Sequence, residues 1–521
     1  MKLKLNIGNN IQLPYVPQKL TNTAMMAYVA ALLICLVIYQ RYALEWRWMI
    51  LGIIEVCGFF YFLNHNTKAW LRTTPKTFTK KLFWWGFVVR LAWVGVSYLL
   101  YTEWTGTAFS IGAADELLYD SSAREIAQGM RDGNWDLFGL AQFSMGAKSG
   151  ISDLGYPIYL GIIYFIFFDS ILMARIIKAI FGAWMAVLMY RLASRNFGEY
   201  TGRMTGVVCM LMPNLIYYCS LQLKEVEMVF LAMLFAERAD FLLRKGKLTL
   251  LPTAALMLIP LFMFMIRTAL AATLVMAFFC ALLLSSGRVV SLGRRALLIV
   301  MAVIFVAIML MTSTSIGNEV RQMWETGAST QEVHAEWTAQ RIDKGGFQQR
   351  FARYAGSAVF APMIFTIPFP TMAETPGQEN QKLIHGGNFV KNIMSFFTIA
   401  ALLILLFSGD WRKHVLPLAI LCGYLVVLVF SNFAHSERFH LPILPLHMMF
   451  AVYGISRMRD LRWVKSGYNY WCVLMIIAAI AWNWFNQWTS PSYFHAESYT
   501  CFARGRDCLL GVVAVVPFPS A

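Results

Sequence analysis

Apolar residues gather in long blocks along this chain. They lie near 24–40, 47–63, 83–101, 171–190, 203–219, 226–242, 250–266, 268–286 and 296–312, then near 391–408, 414–431, 440–456 and 471–487. Each block approaches the roughly 20 residues that carry an α-helix across a bilayer. The pattern predicts an all-α polytopic membrane protein with about 13 transmembrane helices. The first block follows a mostly polar stretch, and no small-residue cleavage pattern comes after it. It therefore reads as a span rather than a removable leader. The stretch 156–168 is apolar too, but at about 13 residues it has the length of an interfacial or re-entrant segment.

Charge gives the direction. With 156–168 left out and the N-terminus inside, the inner connections collect Lys68, Arg72, Lys76, Lys80, Lys81, Arg191, Arg195, Arg203, Arg244, Arg412, Lys413 and Arg457 among others. The short outer connections hold only Arg41, Lys224, Arg267 and Arg438. Counting 156–168 as a span would reverse every later loop, against the positive-inside rule. The expected protein is thus a multi-pass component of the plasma (inner) membrane with a cytoplasmic N-terminus. Two large extracytoplasmic loops follow, at about 102–170 and 313–390, and an extracytoplasmic tail at 488–521. The remaining divisions are an N-terminal segment with a first hairpin at 1–82, a membrane module at 83–312, and C-terminal membrane helices at 391–487.

Composition narrows the class. Hydrophobic residues make up 58% of the chain and charged residues 14%, against about 25% charged in soluble proteins. A soluble enzyme, a fibre, a disordered chain and a small disulfide scaffold are excluded. The 44 Lys+Arg against 28 Asp+Glu serve orientation. No separate basic domain points to nucleic acid. Seven cysteines (Cys35, Cys57, Cys209, Cys219, Cys280, Cys422, Cys472) lie in apolar blocks and read as inert core residues. Cys501 and Cys508 fall in the outer tail, where they could pair.

Candidate chemistry sits on the outer face. The first loop carries Asp115-Glu116-Leu-Leu-Tyr119-Asp120, followed by Ala123 and Ala127, in a helical pattern from 115 to 130. One carboxylate there can take a proton from an acceptor hydroxyl, and the other can orient it or bind a divalent cation. A solvated acidic helix start is the plainer reading. Lys224 and Glu225 stand at a span boundary. They are either a snorkelling pair or a cation for a phosphate beside a carboxylate that shares a cavity with Asp115. Arg267 and Arg438 are held at the outer headgroup level, where arginine can anchor or grip a phosphate. A divalent metal on Asp115, Glu116 and Glu225 is a further expectation, although no spacing demands one. No Walker motif, GxGxxG or GxSxG occurs.

Four elements together resemble the GT-C superfamily of integral membrane glycosyltransferases, in particular the bacterial branch related to protein O-mannosyltransferases and lipid A aminoarabinose transferases. They are Asp115-Glu116-x-x-Tyr119 with Ala123 and Ala127, and Gly155-Tyr156-Pro157 with Arg175. Pro213 through Ser220 to Lys224-Glu225 is the third, and Arg438-Phe-x-Leu-Pro442-Ile-x-Pro445 the fourth. The resemblance implies transfer of a sugar from a polyprenyl-phosphate donor to an extracytoplasmic acceptor, which is a glycan, lipid or protein. It implies Asp115 as catalytic base with Glu116 beside it, Glu225 as second acidic position, and Arg438 on donor phosphate. Lys224 and Arg267 join Arg438 as phosphate ligands, with Tyr119 and Tyr156 in support. Some members use a divalent metal. The first two spans look like an addition before the usual start. A single displacement inverts the anomeric centre.

Two rival readings remain. A polysaccharide polymerase or O-antigen ligase would use the second loop, with Arg341, Arg350, Arg353 and His385, and would not need Asp115-Glu116. A lipid-linked-sugar transporter would carry charges at midplane, for which Glu55 and Arg90 are the main candidates.

Overall fold

The structure is a computed structural model that describes residues 12–146, 151–245, 250–284, 300, 363–375, 379–430, 436–458 and 462–489. The block at 296–312, most of the second loop and the tail with Cys501 and Cys508 lie outside the described residues. Helices α1 (Gln18–Ile38), α2 (Trp46–Ala69) and α3 (Pro75–Thr105) lead to a group of shorter ones: α4 (Ala114–Arg131), α5 (Leu137–Met145) and α6 (Ile151–Phe167). The chain continues as α7 (Ile171–Phe197), α8 (Glu199–Leu211), α9 (Pro213–Tyr217), α10 (Glu225–Lys245), α11 (Leu250–Phe264) and α12 (Thr268–Leu284). After 363–375 come α13 (Glu379–Leu383), α14 (His385–Ser408), α15 (Val415–Phe430), α16 (Glu437–His440), α17 (Leu444–Ser456) and α18 (Arg462–Thr489).

The fold class is an all-α polytopic membrane protein. Among the described residues seven helical segments are long and apolar enough to cross a membrane, with several shorter apolar helices beside them. Helix is the form in which a segment in lipid satisfies its own backbone. The ends are marked by local chemistry. The Thr74 hydroxyl accepts from Thr77 N–H ahead of Pro75, and Gly106 closes α3 at φ 70°, a conformation that glycine adopts without strain. Ser170 caps α7 in the same way as Thr74 caps α3. Large apolar side chains such as Leu33, Val37, Trp84, Leu99 and Trp184 point out of the bundle. Cys422 is exposed, and Cys57 and Cys280 are partly so. These three therefore face outward instead of lying in the core as expected.

Contacts sort the connections to two ends. At one end Arg203 donates to the carbonyls of Trp70 and Leu71, Gln12 to Phe197, and Arg244 to Lys413. At the other end Arg175 donates to Ala108 at 2.6 Å, so α3 finishes where α7 begins. The described residues of 106–146 and 151–170, with α4, α5 and α6, therefore stay on one end, and α6 does not cross. Its length is used sideways. Ile126, Met130, Ala141, Leu154 and Ile158 form a small core of their own between α4, α5 and α6. Gly161 lies so close to Ile126 that a Cβ there would stand 2.7 Å from its Cγ2.

The block at 203–219 is not one helix. α8 stops before Pro213, which has no N–H to give to the turn behind it. The carbonyls of Cys209 and Met210 accept instead from the guanidinium of Arg90, at 3.0 and 3.1 Å. Arg90 is fully buried. The midplane arginine weighed for transport thus repairs a broken helix. Glu55 accepts from a backbone N–H of α14. Neither charge pairs with the other in any ion pair among the described residues.

Candidate active site

Asp115 opens α4, where a carboxylate suits the helix dipole. Its side chain is 55% exposed and accepts from Nη1 of Arg438. Arg438, 23% exposed, donates through Nε to Glu225, at the start of α10. One guanidinium thus holds two carboxylates from distant parts of the chain. Arginine's fork of donors on a planar group makes such bridging natural.

Lys224, the residue before α10, is 3% exposed and bonds Asp153 of α6 at 2.7 Å. The Asp153 side chain is 45% exposed. The ammonium lies 5.8 Å from the ring centre of Tyr119. Burial pushes the pKa of Lys224 down, and the Asp153 carboxylate opposes that shift. Burial, reinforced by Asp153, pushes the Tyr119 hydroxyl well up, so it stays protonated. The guanidinium of Arg267 sits 4.5 Å from the ring centre of Phe439, one residue beyond Arg438. Lys224, Arg267 and Arg438 therefore meet at the same end of the bundle as Asp115 and Glu225.

Glu116 does something else. Adjacent residues on a helix do not share a face, and Glu116 turns inward. It accepts from the backbone and hydroxyl of Ser110 and from Gln222 N–H at 2.8 Å, with Arg175 at 3.9 Å. It ties α4 to the segment leading into α10. The expected trio of Asp115, Glu116 and Glu225 does not converge on one point. Among the described residues no group of three or more His, Cys, Asp or Glu could hold a metal. Arg438 already lies between Asp115 and Glu225, so the arrangement does not fit a divalent cation on these three.

Tyr156 is fully buried. Its hydroxyl accepts from Lys178 at 2.9 Å, and its ring meets that of Tyr119 edge-on at 5.0 Å. Lys178 also bonds the Leu223 carbonyl and pairs with Glu227 at 3.5 Å. Below the open cluster lies a second, closed one. Sequence reasoning passed over Asp153, Lys178 and Glu227. Lys178 had a signal, since a charge inside an apolar block is costly and needs a partner. Asp153 had none.

Arg438 belongs to a stretch with relatives. Residues 383–506 match the Alg9-like mannosyltransferase family. The matched segment contains α14 through α18 and so includes Asn388, Glu437 and Arg438. No curated protein matches the chain. The match covers residues 383–506 alone; with the bundle of apolar helices it supports a membrane glycosyltransferase served by a lipid-phosphate sugar donor. The matched family is the Alg9-like one, within the GT-C resemblance that the motifs carry.

Proposed function

We propose that the chain moves a mannosyl residue from a polyprenyl-phosphate donor to a hydroxyl of an extracytoplasmic glycan, lipid or protein, with inversion and with Asp115 as general base. The observation that carries this is the bridge from Arg438 to Asp115 and Glu225. Arg438 comes from the family-matched segment, and Asp115 comes from the first motif of the sequence.

A phosphate is a better partner for Arg438 than a half-exposed carboxylate, because it offers more oxygens and more charge in bidentate geometry. When the donor phosphate takes Arg438, Asp115 is released to face the acceptor. The acceptor oxygen then attacks the anomeric carbon, and its proton goes to Asp115. The bond from that carbon to the phosphate oxygen breaks, and the electron pair leaves with polyprenyl phosphate. Lys224 and Arg267 offset the charge that grows on the leaving group. Glu225 keeps Arg438 in place during the exchange. Glu116 and Tyr156 act from behind, by fixing α4 and the entry to α10. The three motifs ahead of the matched segment support the finer resemblance to bacterial enzymes acting at the inner membrane, with the site outside.

The test uses purified protein and radiolabelled polyprenyl-phosphate mannose, with the glucose analogue as control. Loss of sugar from the lipid is followed with and without EDTA. Turnover of the mannose donor that disappears in Asp115→Asn supports the reading. Equal turnover by wild type and Asp115→Asn removes Asp115 as base.

A further inference from the structure

The line of contacts that reaches Arg438 starts in a part of the chain that the proposed reaction leaves unused. α2 carries Glu55 within an apolar helix. Its carboxylate accepts from Gly387 N–H at 3.1 Å, in the first turn of α14. The N–H groups of a first turn have no partner inside their own helix, and an anion there is favoured by the dipole. The fit is close. A Cβ on Gly386 would stand 2.9 Å from the Gly52 carbonyl oxygen, and one on Gly52 would overlap His385 and Tyr28. Tyr28, from α1, meets His385 at 2.9 Å, and His385 Nδ1 bonds the Lys382 carbonyl at 2.7 Å. Both helices of the hairpin are therefore seated on one turn of α14.

The same turn faces the site on its other side. A Cβ on Gly387 would press into Asn214 of α9. Asn214 donates to Asn388 Oδ1 at 3.1 Å and to the carboxylate of Glu437. The Tyr218 hydroxyl donates to the other Glu437 oxygen at 3.2 Å. Glu437 is 1% exposed, and a carboxylate so deep is tolerated only when its oxygens are bonded. Its neighbour in the chain is Arg438. The arrangement runs from Glu55 to Gly387, Asn214 and Glu437, and ends at the guanidinium that bridges Asp115 and Glu225.

We propose that Glu55 is a positioning residue: through Gly387, Asn214 and Glu437 the α1–α2 hairpin sets where Arg438 holds the donor phosphate. The proposal rests on Arg438 as phosphate ligand. Loss of the Glu55 carboxylate lets the first turn of α14 shift, and donor binding weakens while Asp115 is untouched.

The measurement is equilibrium binding of a fluorescent polyprenyl phosphate to the purified full chain, with a melting temperature for each variant. Glu55→Ala is expected to weaken binding about tenfold, the equivalent of one lost good contact. Glu55→Gln, whose amide oxygen still accepts from Gly387, recovers most of it. Asn214→Ala weakens binding similarly, and the double variant is no worse than the worse single one, because both sit on one line. Unchanged affinity in Glu55→Ala, a Gln variant as weak as the Ala variant, or additive losses would each overturn the proposal. So would a loss of binding that merely tracks loss of folded protein. Arg438→Ala separates the two layers. If it binds polyprenyl phosphate as the wild type does, the phosphate role falls and the positioning role with it. If it binds weakly and Glu55→Ala does not, only the positioning role falls.

Discussion

Helices α7 and α10 pack side by side and carry ions at both ends, but the two ends are built differently. At the end of α7, Arg195 donates to Asp240 at 2.9 Å, to Glu237 at 2.7 Å and to the Glu237 carbonyl at 2.8 Å. Arg244 bonds Asp240 at 2.8 Å and Asn196 at 2.7 Å, and His414 reaches the same Asn196 oxygen at 2.9 Å. The carboxylates are buried, and most of the partners sit three or four residues apart on the same two helices. At the start of α10 the cations are Lys224 and Arg438. They are held by Asp153 and Asp115, whose side chains stay half in water and come from short helices outside the bundle, with buried Glu225 as a second partner of Arg438. Replacing a buried partner leaves a charge stranded at high cost. Replacing a hydrated one with another anion costs little desolvation. The first end locks two helices together, and the second keeps the hydrated carboxylates that the proposed donor phosphate would replace.

The largest effect should come from Asp115→Asn. Loss of a general base lowers turnover about 10²–10⁴-fold, and the half-exposed side chain should leave the melting temperature nearly where it was. A large fall in melting temperature with turnover per folded molecule preserved would turn Asp115 into a structural ion and erase the contrast between the ends. Next comes Arg438→Lys. An ammonium keeps the charge but not the planar fork, so the KM for the lipid donor should rise about tenfold with kcat less affected. Steady-state kinetics over donor concentration decide it. A fall in kcat alone would place Arg438 in the transition state only.

The contrast also explains what could be read from the sequence. The apolar blocks foretold most helices, because burying backbone in lipid leaves few alternatives. The block at 203–219 misled, since apolar content runs straight across Pro213. The break is stable only because Arg90, more than a hundred residues earlier, supplies the missing donors. Asp115, Glu225, Lys224 and Arg438 stood out as charges beside spans. That Arg438 bridges the two acids could not be read, since contact between residues 323 apart is a property of the packed bundle. Glu116 is instructive: helical geometry already says that neighbours diverge, yet the pair was expected to act together. Asp153 sits in an ordinary polar stretch, and only Lys224 gives it meaning.

The closed end is tested by Asp240→Ala. Asp240 is 4% exposed and serves Arg195, Arg244 and Asn196 at once. Its removal leaves Arg244 with no carboxylate and Arg195 with Glu237 alone, and should cost about 1–3 kcal/mol of stability, seen as a lower melting temperature in detergent. KM for the donor should not move. A raised KM with unchanged melting temperature would mean that the closed end also communicates with the site.

The smallest effect belongs to His414, between α14 and α15. Its Nδ1 lies against an oxygen that also takes Arg244, so the neutral ring must carry its proton there. Burial first, and the Arg244 charge second, hold its pKa down at about 4, from 6.5. In the unfolded chain the ring gains a proton near 6.5, and in the folded chain only near 4. Between those values the unfolded state binds more protons, so stability falls as pH falls through this window and levels off below it. The loss should be about 1–2 kcal/mol, less than the full linkage because the site is not sealed from water. His414→Gln should flatten melting temperature against pH over that range relative to wild type, with turnover at neutral pH unchanged. A slope that survives the substitution would remove His414 as the source of the acid sensitivity.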